Sequence, residues 1–255
     1  MTETRIQVWF VGAGPGDPEL ITVKGQRLVR EADLVLYAGS LVPEAVVTGV
    51  KPSADVVDSA PMTLAETHAC ILRTVRAGGM VVRLHTGDPS LYGAIREQMA
   101  LLHAEGVTCA VVPGVSAGFA AAAAAAASLT VPERSQSVII TRLEGRTPVP
   151  ATEKLRDLAR HRCALAIYLS AADPEGMVEE LRAGGLEEET SIIAAYRVGW
   201  PEQRVIPTSL GRLCATVREH GLTRQTVFLV LPGEDGAAHC SRLYDAAFAH
   251  GYRQG

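Results

Sequence analysis

Two α/β lobes are what this sequence predicts, from its length, from β-branched runs that alternate with helical patterns, and from an interruption of that alternation. The chain has 255 residues, 47% of them hydrophobic and 20% charged. At about 150 residues per domain that is between one and two domains, and a chain this long buries roughly three quarters of the surface its unfolded form exposes. The abundance of Leu, Ile and Val excludes intrinsic disorder. Short β-branched runs at 7–11, 33–37, 80–84, 108–112, 137–141, 164–169, 191–195 and 226–231 read as buried strands. Helical patterns lie between most of them, which implies a mainly parallel sheet covered on both faces. Proline and charge interrupt the apolar sequence at Pro113-Gly114 and again at 131–135, and the lobes are placed at 1–112 and 113–255.

The first strand runs into Gly12-Ala13-Gly14-Pro15-Gly16-Asp17-Pro18, a glycine turn of the kind that cradles phosphate. Three features oppose a dinucleotide there. The spacing is GxGxG and not GxGxxG, Pro15 lacks the N–H that a pyrophosphate needs, and Asp17 puts negative charge where phosphate oxygens would lie. Asp33 stands at the wrong end of its strand to reach a ribose. A purely structural turn, with Asp17 capping a helix that begins at Pro18, uses the same residues. Further on, Thr63 and Glu66 form a capping box ahead of Leu64, His68, Ile71, Leu72 and Val75, and Gly78-Gly79 stop that helix.

The strand at 80–84 leads to His85-Thr86-Gly87-Asp88-Pro89-Ser90-Leu91-Tyr92-Gly93. Asp88 followed by Pro89 suits the start of a helix carrying Ile95, Met99 and Leu102. Gly87 equally lets a ligand approach the main chain at a strand end. The small residues of Pro113-Gly114-Val115-Ser116-Ala117-Gly118 leave room for an adenosine, or for close packing of helix on sheet. In the second lobe Thr208 precedes Leu210, Leu213, Cys214 and Val217, which reads as a capped helix closed by Gly221.

Lys and Arg total 24 against 28 Asp and Glu, a net charge of −4 with no basic stripe, so nucleic acid is excluded as principal partner. The alanine run at 119–127 is about half the length of a bilayer span, so no membrane helix is expected. The N-terminal apolar run enters the glycine turn and not a cleavage site, which points to the cytoplasm. Cys70, Cys109, Cys163, Cys214 and Cys240 form neither a CxxC pair nor a disulfide framework and read as small core residues. No His, Cys or carboxylate cluster has metal-ligand spacing, so no resident metal is expected.

Val11-Gly12-Ala13-Gly14-Pro15-Gly16-Asp17-Pro18-Glu19-Leu20 with the segment through Val23-Lys24-Gly25 and Ala32-Asp33 resembles the opening signature of the tetrapyrrole methylases. Gly87-Asp88-Pro89-Ser90-Leu91-Tyr92-Gly93 and Pro113-Gly114-Val115-Ser116-Ala117 resemble that family's second and third motifs. The resemblance implies two lobes, a mainly parallel sheet in the first and a mixed sheet in the second, with the active-site cleft between them. It implies S-adenosylmethionine as methyl donor, a tetrapyrrole substrate lying at the first loop, and a homodimer. Thr86, Gly87, Asp88, Ser116 and Ala117 then border the cofactor. Pro15, Leu91, Leu169 and Val198 correspond by position to further cofactor contacts.

Within the family, Tyr37-Ala38-Gly39-Ser40-Leu41-Val42, Asp58-Ser59-Ala60-Pro61-Met62-Thr63-Leu64 and Thr141-Arg142-Leu143-Glu144-Gly145-Arg146-Thr147 are similar to the branch that methylates precorrin-4 or cobalt-precorrin-4 at C11. Pro61 departs from that branch, where glycine is usual. If 141–147 is extended, Arg142, Glu144 and Arg146 share one side. The two guanidinium groups would then fork onto acetate and propionate groups of the substrate, with Glu144 orienting them; a solvated surface loop would show the same spacing. The methyl donor is already activated, so the protein has mainly to align and dehydrate, and Asp17, Glu144 and His85 are the candidates for moving a proton. Other readings of the same residues are a neighbouring precorrin or uroporphyrinogen methylase, a nucleotide-dependent oxidoreductase, and a tetrapyrrole carrier without activity.

Overall fold

The alternating runs resolve into two five-stranded sheets, one in each of two compact units. The computed structural model describes residues 5–234 together with Ser241, Phe248, Ala249, Gly251 and Tyr252. The first unit comprises Met1–Ala120 and Arg197–Gln203, and the second Ala121–Tyr196 and Arg204–Gly255. The division therefore falls after Ala120, beyond the proline-glycine step at 113–114, and the first unit takes a short return from later in the chain.

In the first unit the strands are β1 (Val8–Gly12), β2 (Leu34–Tyr37), β3 (Asp55–Asp58), β4 (Val81–His85) and β5 (Cys109–Val112), ordered β3-β2-β4-β1-β5. All pair in parallel. The helices are α1 (Val23–Glu31), α2 (Leu64–Arg76), α3 (Ile95–Ala104) and α4 (Ala117–Ala124), the last crossing the division. The two-residue period of each strand sorts its side chains onto opposite faces. Val8, Phe10, Leu34, Leu36 and Val81 pack with Ile71, Leu72 and Val75 of α2 and Leu102 of α3. Val11, Val35, Val82 and Leu84 pack with Leu28 and Val29 of α1. A parallel sheet buried on both faces explains why these strands are almost wholly apolar.

In the second unit β6 (Val138–Arg142), β7 (Ala164–Tyr168), β8 (Ser191–Tyr196), β9 (Arg204–Ser209) and β10 (Thr226–Leu231) are ordered β6-β7-β10-β8-β9. Only β6 and β7 run parallel; β10 pairs antiparallel with β7 and β8, and β8 with β9. The sheet is mixed, as the resemblance implies. Helices α5 (Leu155–Ala159), α6 (Pro174–Ala183) and α7 (Leu213–Glu219) pack with Leu165, Ile167, Ile192, Phe228 and Val230.

Several expectations need correction. Strands β3 and β9 do not stand out in the sequence because one is four residues long with an Asp at each end and the other contains Pro207, both features that sheet edges tolerate. Thr208 caps nothing: it lies in β9, and its hydroxyl meets that of Thr216 at 2.8 Å. The Thr63–Glu66 capping box is present, with Thr63 N to Glu66 Oε2 at 2.7 Å and Glu66 N to Thr63 Oγ1 at 3.3 Å. The buried side of α2, however, is Thr67, Cys70, Ile71, Leu72 and Val75, and Leu64 is exposed. Cys70 and Cys163 are buried, Cys109 and Cys214 are half-buried, all four are free thiols, and Cys240 lies outside the described residues. Among the described residues no helix is long and apolar enough to cross a membrane, and no three His, Cys, Asp or Glu side chains are placed to hold a metal.

Candidate active site

In the first unit the three glycine loops leave the C-terminal ends of β1, β4 and β5, the end of a parallel sheet at which ligands bind. Main-chain hydrogen bonds join them. Ala13 N donates to the His85 carbonyl at 2.8 Å, Gly87 N to Gly14 O at 2.7 Å, and Gly14 N to Gly87 O at 3.3 Å. The third loop is joined through a side chain: Asp88 Oδ2 accepts from Gly114 N at 2.9 Å. The glycines are there because nothing larger fits. A Cβ on Gly114 would lie 2.1 Å from the Gly87 carbonyl oxygen, and one on Gly12 would lie 2.5 Å from Gly114 Cα.

Gly87 differs from those two. It sits at φ +63, and a Cβ there would meet Ala117 N and Ser116 Cα no closer than 3.7 Å, so the second loop faces Ser116 and Ala117 at ordinary contact distance. The structure thus brings Pro15, Asp17, Thr86, Gly87, Asp88, Leu91, Ser116 and Ala117 into one connected set of loops. Val198 joins them, since the return Arg197–Gln203 belongs to this unit and Trp200 Nε1 in it donates to the Pro15 carbonyl at 3.1 Å.

The cap assignments differ in detail. Asp17 Oδ1 accepts from Glu19 N at 2.9 Å and starts a single 3₁₀ turn, Pro18–Leu20. Asp88 does not begin α3, which starts at Ile95 behind Ala94 at φ +49. Its carboxylate instead accepts from Ser90 N at 2.8 Å, from the Ser90 hydroxyl and from Gly114 N. Burial raises its pKa, but these hydrogen bonds outweigh burial and hold it below the usual carboxylate value. Asp33, at the opposite end of the sheet, accepts from Met80 N at 2.7 Å and so serves the fold.

His85 is buried, and its ring lies 5.8 Å from that of Phe10. Strand alternation puts it on the α2–α3 side of the sheet with Val81 and Arg83. Burial, with a smaller push from the Arg83 cation, lowers its pKa to about 3, so the imidazole is neutral at neutral pH. Its Nε2 is buried without a hydrogen-bond partner. Arg83, pulled down to about 10 by burial, donates to Ser59 Oγ at 2.7 Å.

The second unit holds Leu169 beside Arg142, with Glu144 and Arg146 in the loop that follows β6. Arg142 registers with Tyr168, Leu143 N donates to Ser170 Oγ at 2.8 Å, and Leu169 between those partners stands at φ +55 with 72% of its surface exposed. The expected extension of 141–147 fails, because β6 ends at Arg142. The Arg142 guanidinium turns back on its own loop and donates to the carbonyls of Leu143 (3.4 Å), Thr147 (3.0 Å) and Pro148 (2.7 Å). Glu144 pairs with Lys154 and accepts from Val149 N at 3.4 Å, which together hold its carboxyl below the usual value. Loop carbonyls outside a ladder attract the nearest guanidinium, and strand periodicity cannot foresee that. Arg146 is exposed.

The sequence profile of the Tetrapyrrole (Corrin/Porphyrin) Methylases matches residues 7–214. The chain belongs to this family. A cobalt-precorrin-4 C(11)-methyltransferase from Priestia megaterium is 46% identical over 254 residues, covering 98% of each chain. A precorrin-4 C(11)-methyltransferase from Pseudomonas aeruginosa is 44% identical over 252 residues, covering 97% of this chain and 99% of the relative. Among solved structures, the X-ray structure of a cobalt precorrin-4 methyltransferase of cobalamin biosynthesis superposes with a TM-score of 0.86 at 47% identity, over 89% of this chain and 95% of that one. A uroporphyrin-III C-methyl transferase from Thermus thermophilus complexed with S-adenosylhomocysteine superposes at 0.74 with 27% identity, over 89% and 98%. The family explains the choice of motifs. Two contacts carry no local signal in the sequence: Gly12 against Gly114, which lie in distant segments, and Trp200 on the Pro15 carbonyl.

Proposed function

We propose that this chain transfers a methyl group from S-adenosylmethionine to C11 of precorrin-4 or its cobalt complex, in cobalamin biosynthesis. Identity to relatives named for that reaction, along 97–98% of the chain, carries the reading. Pro15, Thr86, Gly87, Asp88, Leu91, Ser116, Ala117, Leu169 and Val198 hold the cofactor, which supplies an activated sulfonium methyl. Gly87 faces Ser116 and Ala117 at ordinary contact distance, and the small residues of these loops let a nucleoside lie against the main chain. Alignment and exclusion of water are the protein's work, and such placement can supply roughly 7–11 kcal/mol of a barrier. Arg142 and Arg146 contact substrate carboxylates. Asp17, Glu144 and His85 are the candidates for moving a proton, and burial keeps the His85 imidazole neutral at neutral pH. The family resemblance supports a cytoplasmic homodimer, and a sedimentation mass of one chain would count against the dimer.

The test is incubation with precorrin-4 and labelled S-adenosylmethionine, followed by mass and NMR location of the new methyl. A methyl at C11 is the expected result. A methyl at C17 or C20 would assign another branch, and no incorporation would leave a carrier.

A further inference from the structure

Residues Arg197–Gln203 are the connection of the β8–β9 hairpin, closed where Tyr196 registers with Arg204, yet they pack as part of the first unit. At the tip, the Trp200 indole N–H donates to the Pro15 carbonyl at 3.1 Å. The same edge of the ring fills the space a side chain at Gly16 would need: a Cβ there would lie 2.4 Å from Trp200 Cδ1. Beside it, a Cβ on Gly199 would lie 2.5 Å from Asp17 N. The first loop is therefore in contact with this connecting segment along Pro15, Gly16 and Asp17.

The indole is itself held. The Arg197 guanidinium lies over the ring at 4.4 Å and pairs with Glu202 at 3.2 Å. Gly199 N donates to Gln203 Oε1 at 2.8 Å, which closes the hairpin's own turn. Arg197 adopts φ +47, a conformation L-residues seldom take, and its Nε is buried without a partner. A strained residue with an unpaired donor persists where its neighbours over-determine it.

We propose that Trp200 is a positioning residue for the first glycine loop: its N–H and ring edge fix Pro15, Gly16 and Asp17 in one conformation, the one that presents Pro15 to the methyl donor. The inference rests on the proposed function, because it takes Pro15 as a cofactor contact. A single net hydrogen bond is worth about a fivefold change in an equilibrium.

Trp200→Phe keeps a ring beneath Arg197 and removes the N–H. By calorimetry the variant should bind S-adenosylhomocysteine about fivefold more weakly than wild type, with a Tm within about 2 °C of it. Trp9→Phe leaves Trp200 as the sole tryptophan, the chain having two, and saturating S-adenosylhomocysteine should shift its emission. An unchanged Kd in the Phe variant overturns the proposal. So does a weaker Kd accompanied by a large fall in Tm, or an emission that ignores the ligand. A wild-type protein that binds no S-adenosylhomocysteine would instead remove the functional reading itself, and that result needs no variant.

Discussion

The glycine loops of the first unit and the segment after β6 in the second are built in opposite ways. The former are joined mainly backbone to backbone, through Ala13, Gly14, His85 and Gly87, with glycines where any Cβ would collide. The latter is held by side chains, Arg142 on three carbonyls and Glu144 on Lys154. Main-chain joints demand particular residues and resist changes of salt and pH, whereas charged side-chain joints on a surface are individually weak and screened. The first construction is rigid by its geometry, and the second is one whose side-chain bonds can be exchanged at little cost.

The largest expected effect comes from forcing a side chain between the glycine loops. Gly114→Ala drives a methyl into the Gly87 carbonyl and should cost about 3 kcal/mol or more, with loss of S-adenosylhomocysteine binding, read by urea unfolding and calorimetry. A variant of near-native stability and affinity would erase the distinction between the two regions.

A middle-sized effect concerns pH. The folded pKa of His85, about 3, lies below its ordinary value of 6.5. Below pH 6.5 the unfolded chain therefore takes up a proton that the folded one refuses. Stability from this site is complete above pH 6.5 and falls as pH drops toward 3, by about 1.4 kcal/mol per pH unit at steepest. Between pH 6 and about 4.5, above the carboxylate range, His85→Gln should flatten that slope in urea midpoints. An equal slope in both proteins would mean that the imidazole is solvated.

The smallest effect is expected in the second unit. Lys154→Met frees an exposed Glu144 and should change stability by less than about 1 kcal/mol, while raising the Glu144 pKa in NMR titration. A larger loss would show the segment to be as rigid as the glycine loops.

Legibility in the sequence follows the same division. Gly12 to Pro18, Gly87 to Gly93 and Pro113 to Gly118 are local runs whose residue types are dictated by backbone geometry, so they read directly as loops at strand ends. Eight strands are legible from their apolar runs, the edge strands β5 and β6 among them, whereas β3 is four residues with an Asp at each end and β9 contains Pro207. The post-β6 segment reads wrongly as extended because Arg142 answers to carbonyls five and six residues on, a fact of chain folding and not of spacing. Trp200 is silent for a related reason: its partner, Pro15, lies 185 residues away in the chain.

The central claim is that the first unit's glycine loops form the cofactor cradle. Amide hydrogen exchange with and without saturating S-adenosylhomocysteine tests it most directly. The account predicts new protection at 86–91 and 115–118 with none at 143–150. Protection confined to 143–150, or none at the glycine loops, would contradict it.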